Sequence, residues 1–218
     1  MLSPSYGLAL ETHVSNPEEL ALAYGKWEGI CSNHIVNADG EFYGPDGSSR
    51  SISTTQDREL LIRLRAIADL VVVDARTARS EKYNMPSSGA ALAIFSETGY
   101  FEDIPALGQP SSNCFLFGPD IPVKTTGHNF EAIRSPGNPL LGLAAWASQR
   151  GLPAVLLEAG PTLSRTAFGN RLVTHSAVTI TVEKLESKAL AGMHPFDESA
   201  RLVSVAHGEG ATFTYWNH

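Results

Sequence analysis

Hydrophobic residues occur along this chain in short runs that alternate with stretches of helical spacing. Residues 29–37 are predicted to form a strand that ends before an Asp-Gly turn. Four continuous apolar runs, typical of strands covered on both faces, lie at residues 70–73, 90–95, 114–117 and 154–157. Three more strand-like stretches follow at 177–185, 201–206 and 211–216, and no long helix separates them.

Helices are predicted between these runs from capping signals and apolar spacing. Residues 15–18 have the S-x-x-E form of a capping box before a short helix that ends near Tyr24. Residues 53–56 form a second box, S-x-x-Q, which precedes an apolar stripe at helical spacing. A third helix is expected over 140–150, and a short fourth helix opens at 158–162.

Alternating strands and helices followed by a strand-rich end indicate one α/β domain, which also suits the length of 218 residues. Consecutive strands joined by helices favour parallel pairing. We therefore expect a mostly parallel central sheet, helices on both of its faces and an antiparallel C-terminal hairpin at one edge.

Composition and charge exclude several classes of function. Lys and Arg total 16 against 23 Asp and Glu, so the net charge of −7 disfavours nucleic-acid and membrane-surface partners. No apolar run approaches the roughly 20 residues that span a bilayer, and no secretory signal is visible, so we expect a cytoplasmic protein. The seven His lack metal-ligand spacing, which predicts no metal, and Cys31 and Cys114 are expected to be buried thiols.

Ligands are expected at the loops that follow the strands, because open α/β sheets bind outside the carboxyl ends of their strands. Residues 159–162 form a small-Gly-Pro-Thr junction whose free N–H groups would suit a pyrophosphate; a plain strand–helix turn is the alternative. Glu158 is either a ligand contact or a surface carboxylate. The serine-rich segment 44–53, with Arg50 and with Arg65 further on, either holds an anionic ligand or is merely solvated.

Several of these motifs occur in an informative order. They are Asn37-Ala38-Asp39-Gly40, the segment 47–53, Asp57-Arg58, the helix end 64–69, the segment 77–81 and the segment 156–163. In this order and spacing they resemble the reductase domain of riboflavin biosynthesis, the C-terminal half of the bifunctional pyrimidine deaminase/reductase. The resemblance covers residues 29–185.

The resemblance implies a dihydrofolate-reductase-like fold of three layers, in a single domain over residues 1–218. Residues 29–185 would be the matching core, 1–28 an N-terminal extension and 186–218 the C-terminal strands. It also implies NADPH-dependent reduction of a phosphorylated ribosylaminopyrimidine, with hydride delivered to C1′ of the ribose, and a homodimer.

The site residues are carried over from the resemblance position by position. The positions that match substrate contacts are Ser49, Arg65 and Glu158. The positions that match cofactor contacts are Ile35, Ser51, Thr77, Glu81, Ser96, Gly160, Pro161, Thr162 and Leu163. No catalytic residue is assigned, although Asp39 and Glu158 are candidate proton donors.

Three residues depart from the family's pattern. Asp74 and Arg76 stand where many members have glycine, and bulky charged side chains there restrict the approach of a cofactor. Glu97 stands where a basic residue would help to hold the 2′-phosphate of NADPH, and its charge disfavours that phosphate. Three hypotheses therefore stay open: an NADPH-dependent pyrimidine reductase, the same fold using NADH or acting on another small substrate, and a reductase-like binding protein without activity.

Overall fold

The computed structural model describes most of the chain. The described residues are 10–13, 16–110, 113–119, 130–134, 140–182, 184–185, 187–190, 192–208 and 210–218. Ser15 of the first predicted capping box lies outside them. Within them, Asn16 caps the first helix, because its side chain accepts a hydrogen bond from the Glu18 N–H.

Ten strands and six helices occur in the described part of the chain. The strands are β1 (Leu10–His13), β2 (Gly29–Val36), β3 (Leu70–Asp74), β4 (Ala91–Phe95), β5 (Cys114–Gly118), β6 (Glu131–Arg134), β7 (Ala154–Leu157), β8 (Val173–Ile180), β9 (Arg201–Gly208) and β10 (Ala211–Asn217). The helices are α1 (Pro17–Tyr24), α2 (Thr55–Ile67), α3 (Ala75–Ser80), α4 (Leu143–Gln149), α5 (Pro161–Gly169) and α6 (Ser187–Leu190).

All ten strands join one sheet in the order β1-β9-β10-β8-β2-β7-β3-β4-β5-β6. Among the described pairs, β10 is antiparallel to β8 and to β9, and the others are parallel. The mostly parallel sheet and the antiparallel C-terminal hairpin are thus confirmed. The predicted place of the hairpin at an edge is wrong, because β1 pairs in parallel with β9 and lies outside it.

Alternation along the central strands explains why helices cover both faces. In β3, Leu70 and Val72 pack into the cluster that holds α4 and α5, whereas Val71 and Val73 pack into the cluster that holds α3. Successive side chains of a strand point to opposite faces, so a continuous apolar run requires cover on both sides. Helices α1 and α2 cover the same face as α3, further along the sheet, beside β2, β8 and β10. The predicted three layers are therefore present.

Several predicted boundaries are wrong, each for a local reason. Helix α2 is capped by Thr54 rather than Ser53, because the Thr54 hydroxyl accepts the Asp57 N–H while the Ser53 hydroxyl donates to the Asp57 carboxylate. Helix α4 begins at Leu143, three residues after the predicted start. Strand β8 begins at Val173 rather than at 177, since its first half carries polar side chains that conceal it in the sequence.

The described part of the N-terminal extension is built into the core. The Tyr24 ring stacks on Tyr215 with centroids 4.4 Å apart, and the Trp27 indole N–H donates to the Val155 carbonyl at 3.0 Å. Cys31 and Cys114 are buried free thiols, as predicted. No helix in the described ranges is long and apolar enough to cross a bilayer.

Candidate active site

A cleft of about 1910 Å³ opens at the carboxyl ends of the central strands. Its walls come from the segments that follow β2, β3, β4 and β7, which is where an open α/β sheet binds ligands. Every predicted site residue except Ser51 lines this cleft. The Ser51 hydroxyl instead donates to the Asp46 carboxylate at 2.6 Å, so this cofactor assignment is not supported by the position of its side chain. Asp39 also lies outside the lining.

The cleft is locally cationic although the whole chain is anionic. Seven Arg and Lys residues line it against five Asp and Glu. The cations are Arg50, Arg58, Arg65, Arg76, Arg79, Lys82 and Arg165, and the carboxylates are Asp57, Asp74, Glu81, Glu97 and Glu158. A cleft of this charge attracts anionic ligands despite a net charge of −7, because nearby charges dominate the local field.

Two predicted substrate contacts, Arg65 and Glu158, bind each other. Arg65 Nε donates to Glu158 Oε1 at 2.8 Å and Arg65 Nη2 donates to Glu158 Oε2 at 2.5 Å, so the guanidinium holds the carboxylate with two bonds. The Tyr83 hydroxyl donates to the same Oε2 at 2.5 Å and accepts from Arg65 Nη2 at 2.7 Å. The Glu158 side chain is only 8% exposed, which makes this a largely buried three-residue cluster.

Burial and charge shift the pKa of two members of this cluster, Arg65 and Tyr83. Burial alone would lower the pKa of the Arg65 guanidinium, but the hydrogen bonds and charge of Glu158 outweigh burial and raise it. Burial and the adjacent Glu158 charge raise the pKa of Tyr83 well above its usual value. The hydrogen bonds of Arg65 use Nε and Nη2, and its Nη1 donates to no group in the described part of the chain.

The carboxylate of Asp74, at the end of β3, bonds to the backbone at the start of helix α5. Its Oδ1 accepts the Thr77 N–H at 2.8 Å and caps α3, while its Oδ2 accepts the Thr77 hydroxyl at 2.8 Å. The same Oδ2 accepts the Gly160 N–H at 2.9 Å, and Gly160 is the N-cap of α5. The N–H group that the sequence assigned to a pyrophosphate is therefore already bonded to a carboxylate.

Glu81 connects the serine-rich segment to the cleft wall. Its carboxylate pairs with Arg50 Nε at 2.7 Å and accepts the Ser48 hydroxyl at 3.2 Å, while Arg50 Nη2 donates to the Glu81 carbonyl at 2.5 Å. These contacts hold the short 3-10 helix Ser49–Ser51 beside α3. Glu81 and Arg50 thus position Ser49 at the cleft.

Several polar groups at the starts of α5 and α3 have no hydrogen-bond partner among the described residues. The N–H groups of Thr162 and Leu163, in the first turn of α5, bond to no other described residue. The side chains of Arg76 and Arg165 likewise make no hydrogen bond or ion pair within the described ranges. Ser96, by contrast, uses its hydroxyl to accept the Tyr100 N–H at 3.1 Å. Donors for an anion therefore concentrate around α5 and the start of α3.

Sequence reasoning missed three residues of the cleft. Tyr83 completes the Arg65 cluster, and Tyr43 faces Gly160 with a pKa raised by burial and by the charge of Asp74. The third is His34, which is only 5% exposed and whose Nε2 has no hydrogen-bond partner in the described structure. The two tyrosines lie in polar loops without a motif, and His34 sits in an otherwise apolar strand, so no local signal marked them.

Candidate metal ligands do not gather in the described part of the chain. No group of three or more His, Cys, Asp or Glu side chains there is arranged to hold a metal ion.

Comparison with solved structures finds the same fold in pyrimidine reductases. A pyrimidine reductase-like protein from Corynebacterium diphtheriae superimposes with a TM-score of 0.72 at 20% identity, covering 93% of this chain and 98% of that one. The deaminase/reductase from Thermotoga maritima gives a TM-score of 0.68 at 15% identity, over 92% of this chain and 59% of that one. The riboflavin biosynthesis reductase of Saccharomyces cerevisiae gives 0.56 at 11% identity, over 87% and 89%.

These likenesses confirm at the level of the fold the resemblance seen in the sequence motifs. The sequence matches no protein-family model. It matches no curated protein either. The fold is therefore shared with the reductases.

Proposed function

We propose that this protein is a nicotinamide-nucleotide-dependent reductase of the pyrimidine reductase type. Its substrate would be a phosphorylated ribosylaminopyrimidine, reduced at C1′ of the ribose, with NADPH as the hydride source. One observation carries the proposal: residues spread from Ile35 to Leu163 in the sequence, chosen from the resemblance, line a single cationic cleft at the carboxyl ends of the strands.

The cleft residues divide into two groups by what they can bind. Ser49 and the free Nη1 of Arg65 present donors to an anionic, hydroxyl-rich substrate. Glu158 holds Arg65 in place and, with Tyr83, fixes the direction in which the guanidinium points. Catalysis by such a site rests on orienting the reacting carbon against the hydride donor.

The nicotinamide cofactor fits most of the cleft and misfits at one point. The N–H groups of Thr162 and Leu163 and the cations of α3 and α5 would hold its phosphates, whereas both donors of Thr77 are bonded to Asp74. When bound, its reduced ring supplies the hydride. The Gly160 N–H, however, is used by Asp74 and is not available to a phosphate in this structure.

Titration with NADPH and NADH, followed by nicotinamide fluorescence, tests the proposal. Binding of at least one cofactor, followed by its oxidation in the presence of the ribosylaminopyrimidine phosphate, is expected. Binding of neither at millimolar concentration would contradict a reductase function.

Two variants locate the cofactor. Gly160→Asp is expected to abolish binding, because its Cβ would lie 3.2 Å from Thr77 Oγ1 and 3.3 Å from the Tyr43 hydroxyl and would add a second negative charge. Ser51→Ala is the matched control, since its hydroxyl bonds to Asp46 outside the cleft, and it should bind as the native protein does. Retained affinity in Gly160→Asp would show that the cofactor does not use the start of α5.

A second candidate, the same reaction with NADH or with another small substrate, is favoured by Glu97. This carboxylate is exposed on the cleft wall, where the resemblance predicts the 2′-phosphate of NADPH. Glu97→Lys is expected to improve NADPH over NADH by about fivefold, as surface charge contacts contribute up to about 1 kcal/mol. An unchanged ratio of the two dissociation constants would mean that the 2′-phosphate lies elsewhere. The homodimer stays a prediction, which sedimentation can test.

A further inference from the structure

The start of helix α5 is a place where a phosphate is expected and a carboxylate is found. Helix N-termini attract anions, because their first N–H groups are unpaired and the helix dipole is positive there. Carboxylate and phosphate oxygens satisfy these groups in the same way. A protein carboxylate bonded to these N–H groups therefore competes with any phosphate ligand for them.

Asp74, the last residue of β3, is oriented toward α5 by the first turn of α3. The Thr77 N–H and hydroxyl bond to separate oxygens of the carboxylate, each at 2.8 Å, and so fix its plane. The oxygen that receives the hydroxyl also receives the Gly160 N–H at 2.9 Å. Two hydrogen bonds from Thr77 thus hold the Asp74 side chain in one orientation.

Little room is left beside the Gly160 backbone. A Cβ atom placed on Gly160 would lie 3.2 Å from Thr77 Oγ1, 3.3 Å from the Tyr43 hydroxyl and 3.4 Å from Asp74 Oδ2. A phosphate oxygen that bonded to the Gly160 N–H would have to take the place of the Asp74 oxygen. The two anions cannot share this amide.

We propose that Asp74 is a specificity-determining residue that occupies the phosphate position at the start of α5 as a built-in anion. A dinucleotide then binds there only by displacing Asp74, and its affinity is lowered by that competition. The identity of the ligand rests on the proposed function, whereas the competition itself applies to any compact polyphosphate.

The residues around Asp74 already contain the donors and positive charges that a phosphate at the start of α5 would need. The N–H groups of Thr162 and Leu163 have no described partner, and the side chains of Arg76 and Arg165 make no described ion pair. Removing one negative charge at residue 74 therefore converts the start of α5 into a complete anion site without adding a new group.

Asp74→Asn tests the competition with little change of shape. Asparagine caps helices as well as aspartate does, so the variant is expected to keep the bond to the Thr77 N–H and to fold. The probes are inorganic pyrophosphate by calorimetry and NADPH and NADH by nicotinamide fluorescence. Compared with the native protein, the variant should bind pyrophosphate, and whichever of NADPH and NADH the native protein binds, at least about tenfold more tightly. The reason is that no carboxylate charge within hydrogen-bonding distance of the ligand then repels it.

Two further variants control for a general charge effect and for loss of stability at residue 74. Glu59→Gln removes the same charge from an exposed position of α2 outside the cleft, and it should leave every affinity within about twofold of the native value. Asp74→Ser retains a capping hydroxyl and repeats the test if the asparagine variant melts early.

The outcomes separate this inference from the proposed function. If the native protein binds NADPH and Asp74→Asn binds it no more tightly, the competition is refuted and the reductase function stands. If Asp74→Asn gains affinity for pyrophosphate while no variant binds a nicotinamide cofactor, the competition stands and the function is refuted. If no variant binds any probe, both are refuted.

Discussion

Two polar networks in this molecule differ in how much of their hydrogen-bonding capacity they use. The cleft network of Arg65, Tyr83 and Glu158 is open on one side, and no described residue uses the Arg65 Nη1 donor. The second network, here called the Ser176 network, consists of Ser176, His194, Asp197 and His218 and is closed. Both are made of residue types that catalyse reactions elsewhere, so residue type alone does not tell them apart.

In the Ser176 network, His194 Nδ1 accepts hydrogen bonds from the backbone N–H groups of Phe196 and Asp197. His194 therefore carries its proton on Nε2 and donates it to Ser176 Oγ at 2.8 Å. His218 Nδ1 donates to Asp197 Oδ2 at 2.8 Å, and its Nε2 shares a hydrogen bond of 2.8 Å with the Ser176 hydroxyl.

This chain has the Ser-His-Asp order of a hydrolase triad, yet Ser176 has no exposed surface. Hydrogen bonds inside the protein link all four residues, so the network stabilises the packing of β8 against the residue that follows β10. The comparison teaches that donors left over beside a cleft indicate function better than a familiar set of residues does.

Arg65→Met is expected to have the largest effect on stability. It leaves the Glu158 carboxylate buried with only the Tyr83 hydroxyl as partner, which costs on the order of 3 kcal/mol in the free energy of unfolding. Urea denaturation measures the loss. The double variant Arg65→Met/Glu158→Met should recover most of it, since no unpaired charge remains. A loss below about 1 kcal/mol for Arg65→Met would mean that the pair behaves as an exposed ion pair.

Ser176→Ala is expected to cost about 2 kcal/mol, because His194 Nε2–H and His218 Nε2 both lose their partner in a buried place. Cofactor affinity should not change, since Ser176 lies outside the cleft lining. Ser51→Ala, at an exposed position, provides the control for loss of a hydroxyl. A Ser176→Ala protein that keeps its stability but loses ligand affinity would make the Ser176 network part of a second site.

His34→Phe is expected to have the smallest effect on stability at neutral pH, a gain of about 1 kcal/mol from removing the unpartnered Nε2. Its clearer effect is on pH dependence. Burial lowers the pKa of His34 and of His194 to about 3, from an ordinary value of 6.5. Between these values the unfolded chain binds protons that the folded protein does not, so stability falls as the pH drops from 6.5 toward 3.

The variant should therefore flatten the dependence of the unfolding free energy on pH between 6 and 4, measured by denaturant titration at several pH values. The His194 contribution should remain. If the slope is unchanged, another group causes the acid sensitivity. If affinity for the cofactor falls in His34→Phe, the imidazole belongs with the open network of the cleft.

The fold could be predicted in large part because its central strands are covered on both faces. Continuous apolar runs such as β3 and β7 carry that requirement in the sequence itself. Strand β6 carries no such run, since two of its four residues are charged, and the start of β8 is polar because Ser176 faces the closed network. Elements whose burial depends on hydrogen bonds rather than on apolar side chains leave no comparable pattern.

The cleft positions could be predicted from the order of the motifs, but the bonds between them could not. Arg65 and Glu158 are 93 residues apart, and Asp74 and Gly160 are 86 residues apart. Both pairs meet because β7 inserts between β2 and β3, and that order of strands is not contained in any local pattern. The departure at Asp74 was visible in the sequence, whereas its bond to Gly160 required the fold.

Strand β6 also has a consequence for association between molecules. An edge strand offers unpaired backbone groups to any other strand, which is how sheets aggregate. This one has only four residues, with Glu131 and Arg134 charged, and Glu131 is held by Arg150 through bonds of 2.6 and 2.7 Å. A short, charged edge of this kind resists strand-by-strand growth of the sheet into fibres.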